Sequence, residues 1–547
     1  MTVRVLPVGD AALLVELDDG ARAVALHADL GADPVPGVGE PVPGARTLLV
    51  PFRPGRIGAG DLERELRRRA AARRAAPDGS AARTVEVPVV YDGADLPEVA
   101  AHLGWSVGEL VRRHAAATWT VAFLGFAPGF GYLTSDDPDL VVPRRATPRT
   151  RVPAGSVALA GPFGGVYPRD NPGGWQLVGR TDAVLWDVDR PEPALWAPGD
   201  TVRFVPADAD QVGTPRPGRH AGLPTRPRST DPEPADLGPA DPAPAGHRLE
   251  VVAAGPQALV QDLGRTGAAR WGVSGSGAAD PRSHRAAQRA VGNPSGTAGI
   301  EALGAGLRLR ARGRVVVATA GASTATVHPA DGGAPREVPP SSPVLLTDGD
   351  ELALGVPRRG LRTSVAVRGG VALPPVLGSL STDLLAGLGP APLAPGTVLP
   401  VGPAPGDAVG LHDGGAPDPH HLPAPGTTTE LPVVPGPRDD WFTPEALAVL
   451  TAQEWEVTDA ADRVGLRLRG AAPLTRTRDA RDAELPSEAC VTGALQVPPD
   501  GQPVLFGPDH PLTGGYPVVA TVPTTHTWLL GQLPPGARLR FTVRPPR

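Results

Sequence analysis

The chain has little of several residue types, and each shortage excludes a class of chemistry. Its 547 residues contain one cysteine, Cys490, so internal disulfides and thiolate-held zinc or iron–sulfur centres within one chain are excluded. It contains no lysine, and all 52 basic residues are arginines. Schiff-base, P-loop and biotin-bearing lysines are therefore absent, and because arginine does not deprotonate, proton transfer falls to Asp, Glu, His or Tyr.

Long apolar runs and an excess of positive charge are also missing. No stretch reaches membrane-spanning length, and the first residues lack the apolar core of a signal peptide. The formal net charge of −6 argues against a nucleic-acid surface. Together with the single cysteine, which is typical of a reducing compartment, these features predict a cytoplasmic protein without membrane or nucleic-acid partners.

Glycine and proline are abundant, with 69 residues of each. This composition favours many turns and short strands, and the length favours two to four domains. We expect an α+β fold that is mostly β, beginning with a small α/β domain at 1–80. Residues 207–246 have almost no bulky apolar side chains and predict a flexible linker, and 387–430 have a similar loop-like composition.

An internal repeat indicates related β modules. The segment "VPAGSVALAGPFGGVYPRDNPGGWQLVGRT" (Val152–Thr181) and the segment "VPPDGQPVLFGPDHPLTGGYPVVATV" (Val497–Val522) share a Gly turn, an apolar strand, a Gly-rich loop and Tyr-Pro or Gly-Tyr-Pro. Each is followed by P-G-x-x-x-R-F, and "DGDELALGV" resembles a third closing strand. Such recurrence favours several barrel-like modules.

Aromatic residues make up only 4% of the chain, yet "FLGFAPGFGYL" (Phe123–Leu133) holds four of them among three glycines. Propensity alone predicts a short strand running into a Gly/Pro turn. A strand and a turn alone do not explain why the aromatic residues are concentrated here.

Two predicted helices follow the predicted strand "RTVEVPVVY". They carry capping-box spacings, Asp95 to Glu98 and Ser106 to Glu109. His114 lies on the apolar stripe of the second helix, one turn after Leu110, which is typical of a packed core histidine. His412, His420 and His421 lie in a Pro-rich loop and are interpreted as solvated rather than as a metal site, so no metal is predicted.

Several motifs together resemble the allophanate hydrolase subunit 1 and subunit 2 families, also known as the B and C components of bacterial 5-oxoprolinase. The B-like motifs are "FLGFAPGFGYL", "PRTRVPAGSVALAG" and "NPGGWQLVGRT". The C-like motifs are "VQDLGRTG", "SGAAD", "VGNPSGTAGIE", "VRGGVALPPVLGSLST", "DRVGLRLRG", "GALQVPPDGQPVLF" and "TGGYPVVATV". They occur in family order and span nearly the whole chain outside the linker.

The resemblance implies a cyclophilin-like barrel at 84–206 and two such modules in 247–547. It places the turn of "FLGFAPGFGYL" at a cleft rim, where Gly125, Gly129 and Gly131 would let the backbone approach a ligand and Phe126, Phe130 and Tyr132 would form the wall. For the two phenylalanines a hydrophobic plug of the barrel stays open as an alternative, whereas for Tyr132 we favour the role in the cleft. It also implies ATP-dependent opening of 5-oxoproline to glutamate, with ATP and Mg²⁺ as cofactors. The implied partner is a separate protein, the A component of 5-oxoprolinase. Phosphorylating the carbonyl oxygen would activate an otherwise unreactive lactam.

Candidate site residues lie on the matching motifs. We predict catalytic roles for Asp509, His114 and Asp262. Substrate-binding candidates are Tyr132, Arg149, Ser156, Gln176, Arg265, Asp280, Glu301, Thr513 and Tyr516. For Arg149 a surface role stays open, and for Asp280 helix N-capping is the structural alternative. Because the repeat places the Asp509 loop opposite "FGGVYPRDNPGGW", the site is expected between the two halves.

Two other functions remain open. The same modules resemble the carboxyltransferase part of urea amidolyase, which would need a biotin carrier and a biotin carboxylase. Relatives are also known as an inhibitor of a sporulation kinase and its antagonist, although an inhibitor tethered to its antagonist would make a poor switch. Whether identical chains assemble into an oligomer is also left open.

Overall fold

The computed structural model describes residues 3–72, 83–213, 246–406, 409, 416–481 and 483–544. Thirty-three strands and six α-helices lie in these ranges, which confirms a mainly β, α+β fold. Most of the predicted linker, 214–245, lies outside the described residues, as does His412. None of the described helices combines the length and apolar character needed to cross a membrane.

The N-terminal sheet has four antiparallel strands in the order β1-β2-β4-β3 and carries two helices. Leu13, Val15 and Leu48 of the sheet pack against Leu26 and Leu62 of the helices. The elements are β1 (Arg4–Val8), β2 (Ala12–Glu16), α1 (Gly20–Ala32), β3 (Val42–Pro43), β4 (Thr47–Pro51) and α2 (Ala59–Ala71).

The first barrel, residues 84–206, is a seven-stranded sheet in the order β12-β9-β10-β7-β6-β13-β5. A bridge between Val90 and Arg180 joins its two edges. The elements are β5 (Thr84–Val89), α3 (Leu96–Leu103), α4 (Val107–Ala116), β6 (Trp119–Leu124), β7 (Gly131–Ser135), β8 (Arg149–Val152), β9 (Ser156–Ala160), β10 (Phe163–Val166), β11 (Asn171–Gly173), β12 (Gln176–Arg180) and β13 (Thr201–Pro206).

Residues 248–400 form a sheet pair around one apolar core, with six strands in one sheet and five in the other. The predicted closing strand "DGDELALGV" lies in the six-stranded sheet. The elements are β14 (Arg248–Ala254), β15 (Gln257–Gln261), α5 (Pro281–Ala290), β16 (Gly299–Leu303), β17 (Leu307–Arg312), β18 (Val315–Gly321), β19 (Ala325–His328), β20 (Arg336–Val338), β21 (Val344–Leu346), β22 (Glu351–Leu354), β23 (Arg362–Val367) and β24 (Val398–Pro400).

The second barrel, residues 428–543, is closed by seven strands in the order β25-β32-β29-β30-β27-β26-β33. A two-stranded sheet, β28 with β31, lies at its rim. The elements are β25 (Thr428–Pro435), α6 (Pro444–Ala452), β26 (Trp455–Val457), β27 (Gly465–Arg469), β28 (Glu488–Ala489), β29 (Ala494–Gln496), β30 (Val504–Phe506), β31 (Thr513–Gly514), β32 (Val518–Thr521) and β33 (Arg538–Val543).

The two barrels share their internal construction, as the sequence repeat predicts. Each is completed by a parallel pair, β5 with β13 and β25 with β33, while their other strand pairs are antiparallel. In each, a buried indole donates to the carbonyl five residues earlier: Trp119 to His114 at 3.1 Å and Trp455 to Leu450 at 3.0 Å. His114 and the apolar Leu450 therefore occupy corresponding places.

The two halves of the chain are joined by buried polar contacts. Arg438 of the second barrel, whose side chain is 2% exposed, pairs with Glu16 of the N-terminal sheet at 3.2 Å and with Glu488 of its own barrel. The amide of Ala45 donates to the Ser487 carbonyl at 2.8 Å, and that of Gly129 donates to the Trp271 carbonyl at 2.9 Å. These contacts hold the N-terminal sheet against the second barrel, and the first barrel against the segment between β15 and α5.

Candidate functional site

A cleft of about 370 Å³ lies where the rims of the two barrels meet. Both halves of the sequence repeat contribute to it, which agrees with the predicted position between the halves. Its lining comprises Phe126, Phe130, Tyr132, Arg144, Tyr167, Asn171, Pro172, Gly173, Gly174 and Trp175 from the first barrel, and Leu385, Val464, Ser487, Gln496, Pro511, Thr513, Gly514, Gly515 and Tyr516 from the C-terminal half.

The wall on the first-barrel side is aromatic. Phe130 makes edge-to-face contacts with Tyr132, Tyr167 and Trp175, with ring centroids 5.2 to 5.3 Å apart. Phe126 has a φ of 64°, an unusual conformation for a bulky residue, and its ring contacts Phe130. Such a rigid wall suits a flat ligand, since rings pack well against planar groups. The aromatic crowding of "FLGFAPGFGYL" is therefore explained by both a packed cluster and a cleft surface.

The three glycines of this segment serve close packing, which corrects the expectation that they admit a ligand. A Cβ on Gly125 would fall on the Thr513 side chain of the second barrel. A Cβ on Gly131 would lie 2.6 Å from the Trp196 indole nitrogen, and Gly129 has a φ of 76°. Glycine is required because the backbone passes directly against neighbouring groups.

Apart from the Arg144 guanidinium, the polar side chains of the cleft lining are neutral donors and acceptors. The Thr513 hydroxyl and the Asn171 side-chain nitrogen are buried and have no hydrogen-bond partner among the described residues. Ser487 and Thr513 lie near the Tyr132 hydroxyl, and burial raises the pKa of Tyr132, which therefore stays protonated at neutral pH. Because unpartnered buried polar atoms are costly, these groups are suited to a polar ligand.

Three predicted residues line the cleft: Tyr132, Thr513 and Tyr516. Tyr132 and Thr513 are 5% and 3% exposed, respectively, whereas Tyr516 is 45% exposed. The side chain of Gln496 donates to the Tyr516 carbonyl at 3.0 Å and so supports this loop. Their shared location argues for binding roles.

Arg149 does not line the cleft; it pairs with Asp95 at 2.8 Å. Asp95 also accepts from Arg145 at 2.6 Å and from the Leu177 amide at 2.7 Å. Burial opposes ionisation, but hydrogen bonds from Arg149 and Leu177 outweigh it and lower the pKa of the Asp95 carboxyl. The capping box predicted at Asp95 is wrong, because its side chain makes no capping hydrogen bond and instead connects α3 to the barrel.

Ser156 and Gln176 are also outside the cleft lining. The Ser156 hydroxyl donates to the Pro153 carbonyl at 2.8 Å, and the Gln176 side chain donates to the Pro143 carbonyl at 3.2 Å. Both contacts lie within the first barrel and hold its loops. Neither side chain is placed to touch a ligand in the cleft.

His114 lies in the core of the first barrel. It is 1% exposed, its ring packs on Trp119 and Phe204, and its Nδ1 is 2.9 Å from the Tyr91 hydroxyl. Burial lowers the pKa of His114 to about 3, so the ring is neutral at physiological pH. These contacts fit the packed histidine of the sequence interpretation better than a proton carrier in the cleft.

In the sheet pair, Asp262 and Arg265 hold one loop. Asp262 accepts from the hydroxyls of Ser379 and Ser381 at 2.7 and 2.5 Å. Arg265 donates to the carbonyls of Val376 and Ser381. The sequence could not show these contacts, because more than 100 residues separate the partners.

Asp280 caps α5, as the structural alternative anticipated. Its carboxylate accepts from the Arg282 and Ser283 amides, both at 3.0 Å, and from Gln532 at 2.7 Å. The last contact ties the sheet pair to the second barrel.

Asp509 and Glu301 belong to a buried ion network behind the cleft. Arg463 donates to Asp509 at 2.8 and 2.9 Å and to Glu301 at 2.6 Å, and all three side chains are at most 4% exposed. Asp509 also accepts from the Leu384 amide at 3.2 Å. Because Leu385 and Val464 line the cleft, the network supports its wall from behind. The predicted catalytic role of Asp509 is untested, and because Asp509 does not line the cleft we propose a supporting role for it instead.

Sequence reasoning did not identify Asp383 or Arg144. Asp383 is buried beside Asp509, accepts from the Ala386 amide at 2.8 Å, and has its pKa raised to about 6 by burial and by the Asp509 charge. Arg144 lies in the cleft lining. Both stand outside the repeated segments, so no pattern marked them.

A magnesium-bound nucleotide does not fit the cleft lining. Its phosphates need several cationic or N–H donors, and Mg²⁺ prefers carboxylate oxygens. The lining, as far as the described residues form it, offers one arginine and neither aspartate nor glutamate. In the described ranges no three His, Cys, Asp or Glu side chains are grouped to hold a metal ion. We assign no step of a reaction to ATP in this cleft.

Fold and cleft define a fused protein of the carboxyltransferase-domain type. The family model for carboxyltransferase domain, subdomain C and D, matches residues 3–196, and that for subdomain A and B matches residues 271–543. The chain belongs to the family of 5-oxoprolinase B and C components, with counterparts of both in one polypeptide.

Relatives match the two halves separately. The 5-oxoprolinase B subunit of Escherichia coli O157:H7 is 47% identical over 31% of this chain and 79% of its own length. The 5-oxoprolinase C subunit of Escherichia coli K12 is 31% identical over 54% of this chain and 90% of its own length. Urea amidolyase of Lachancea kluyveri is 31% identical over 54% of this chain, which spans only 17% of that enzyme.

Among solved structures, a crystal structure of TTHA0988 matches nearly the whole chain. The crystal structure of TTHA0988 superposes with a TM-score of 0.79 at 34% identity, covering 99% of this chain and 100% of that one. The fused arrangement of the two halves is therefore shared with a solved protein.

Proposed function

We propose that this chain supplies the B and C components of an ATP-dependent 5-oxoprolinase, which opens the lactam of 5-oxo-L-proline to L-glutamate together with a separate A component. The observation that carries the proposal is the cleft that both halves build jointly. A reaction requiring both components would explain why this cleft is lined by residues of both halves. The family of both halves supports the same conclusion.

The cleft chemistry suits a small flat amide. The aromatic wall of Phe130, Tyr132 and Trp175 would pack on the face of a five-membered lactam ring and exclude water. Tyr132, protonated because burial raises its pKa, can donate a hydrogen bond to the lactam carbonyl oxygen. Such a donor stabilises negative charge that develops on that oxygen when the carbonyl carbon is attacked.

The remaining neutral groups can orient the ring. The Asn171 side-chain nitrogen can donate to an oxygen of the substrate, while the Thr513 hydroxyl can accept the lactam N–H. Since the cleft lining does not fit a nucleotide, ATP would bind elsewhere in the assembled enzyme. The chain's own contribution is thus to bind, orient and polarise the lactam.

A carboxyltransferase component of a urea carboxylase is the second candidate. It is favoured by the match of the C-terminal half to urea amidolyase. Urea is also a small flat amide, but it carries no carboxylate. A regulatory binding protein is a further alternative, for which the cleft provides no specific support.

Reconstitution tests the proposal. The purified chain alone should produce negligible glutamate from 5-oxo-L-proline, and adding the cognate A component should give ATP-dependent glutamate. Activity without ATP would contradict the proposal. Glutamate production that stays at background with the partner and ATP present would contradict it as well. Carboxylation of urea in the presence of a biotin carboxylase and a biotin carrier would instead favour the second candidate.

A further inference from the structure

The cleft contains one charged side chain, and its position indicates what kind of lactam the cleft accepts. Arg144 is the sole charged residue that the described part of the chain contributes to the lining. It is exposed, and it forms no ion pair or hydrogen bond with any described residue. The charge is close to the aromatic wall, since it lowers the pKa of both Tyr132 and Tyr167 against the larger effect of burial.

Neighbouring arginines differ from Arg144 in this respect. Arg145 and Arg149 are both held by Asp95, at 2.6 and 2.8 Å. Arg151 pairs with Asp170 at 2.6 Å. Four arginines therefore lie within eight residues, and three are committed to carboxylates of the chain. Of these four, Arg144 alone has no carboxylate partner among the described residues and lines the cleft, although Arg149 also keeps one buried nitrogen without a partner.

The surroundings of Arg144 favour a single carboxylate as that ligand. Arg144 also borders an adjoining pocket of about 350 Å³ whose lining includes Asp18, Asp19 and Glu484 beside one other arginine, Arg46. Because the carboxylates outnumber the arginines there, the pocket disfavours a polyanion such as a triphosphate. A ligand with one negative charge beside a neutral ring avoids most of this repulsion and still gains the bidentate hydrogen bonds that guanidinium gives to a carboxylate.

We propose that Arg144 binds the carboxylate of the lactam substrate and makes the cleft selective for lactams with a carboxylate on the ring over neutral lactams and urea. The inference rests on the proposed function, which it deepens by naming a specificity-determining residue. It also replaces Arg149 in that role, because Arg149 pairs with Asp95 and does not line the cleft.

Binding of two lactams to the full chain tests the inference. 5-Oxo-L-proline carries the carboxylate, whereas 2-pyrrolidinone has the same ring without it. A charge-assisted hydrogen bond is worth about 1.5–3 kcal/mol, so Arg144→Gln should weaken 5-oxo-L-proline binding by roughly tenfold to a hundredfold. Binding of 2-pyrrolidinone should not change. Arg144→Lys keeps the charge but loses the fork, so it should recover part of the affinity.

The control is Arg112→Gln, because Arg112 is an exposed arginine paired with Glu109 on α4. It should leave both affinities unchanged. If the wild-type chain binds 5-oxo-L-proline and Arg144→Gln binds it equally well, or loses both lactams equally, the inference is overturned while the proposed function stands. If the wild-type chain binds no 5-oxo-L-proline at all, the proposed function fails and the inference with it.

Discussion

Replacing Asp509 by asparagine separates a catalytic role from a supporting one. The substitution keeps the shape of the side chain and removes its charge. Asp509 is fully buried and accepts two hydrogen bonds from Arg463, whose remaining carboxylate partner is Glu301. Arg463 would then carry an incompletely compensated charge in the interior. We therefore expect the variant to lose stability.

The magnitude follows from the burial of the pair. Breaking a buried ion pair by removing one partner costs roughly 3–5 kcal/mol, and we take about 3 because Glu301 remains. Each kcal/mol lowers Tm by roughly 2–4 °C in a domain of about 150–250 residues, so the expected fall is roughly 6–12 °C.

Calorimetry of the whole chain measures this fall, and the reconstituted glutamate assay, run well below both transitions, measures turnover. We expect the folded variant to retain turnover within about threefold, since Asp509 does not line the cleft. The exposed carboxylate Asp459 gives the control, Asp459→Asn, in the same barrel. An unchanged Tm with turnover reduced by roughly a hundredfold or more would refute this reasoning and establish Asp509 as catalytic.

Three further predictions concern the cleft, the first barrel and the joined halves. Tyr132→Phe removes the hydroxyl near Ser487 and Thr513 and should lower reconstituted turnover by roughly tenfold or more with little change in Tm. The control, Tyr91→Phe, removes a hydroxyl bonded to His114 and should keep the wild-type turnover. Equal turnover in both variants would contradict the role of Tyr132. His114 has a pKa of about 3 in the folded chain and about 6.5 in the unfolded chain. Because the unfolded chain takes up the proton first as the pH falls below about 6.5, the free energy of unfolding decreases, by about 2 kcal/mol at pH 5. His114→Leu introduces the residue type found at the corresponding Leu450. The variant should therefore remain active and lose less stability between pH 7.5 and pH 5 than the wild type. Inactivity of the folded variant would show that His114 takes part in the reaction. Finally, a protease site can be inserted within 214–245 and cleaved. The two halves should still elute together on size exclusion, because the buried Arg438 of one half pairs with Glu16 of the other. Separate elution would show that this contact is weaker than the structure indicates.

The sequence predicts the barrels and the location of the cleft because both depend on local patterns. The Gly turns and Tyr-Pro segments recur at similar spacing, and recurrence of a pattern implies recurrence of a fold. The loops containing Tyr167 and Thr513 occupy similar positions in the two repeats, and both line the cleft. Family motifs then place the two halves in order.

The sequence does not reveal which groups the charged side chains contact in the folded chain. Asp95 and Arg149 are 54 residues apart, and Asp262 meets Ser379 across 117 residues. A motif marks Arg149 and Asp262 as noteworthy but does not show that other groups of the chain occupy them. Arg144 lies outside the motifs, and nothing in the sequence distinguishes it from Arg145. Its lack of a partner among the described residues is what indicates a ligand.

A crystal structure of the full chain grown with 5-oxo-L-proline tests the central claim most directly, namely that the two halves form one lactam site. We predict density for the ring against Phe130 and Trp175, with its carbonyl oxygen within hydrogen-bond distance of the Tyr132 hydroxyl and its carboxylate on Arg144. Density for the ligand within either barrel or on another surface, with this cleft empty, would contradict the account.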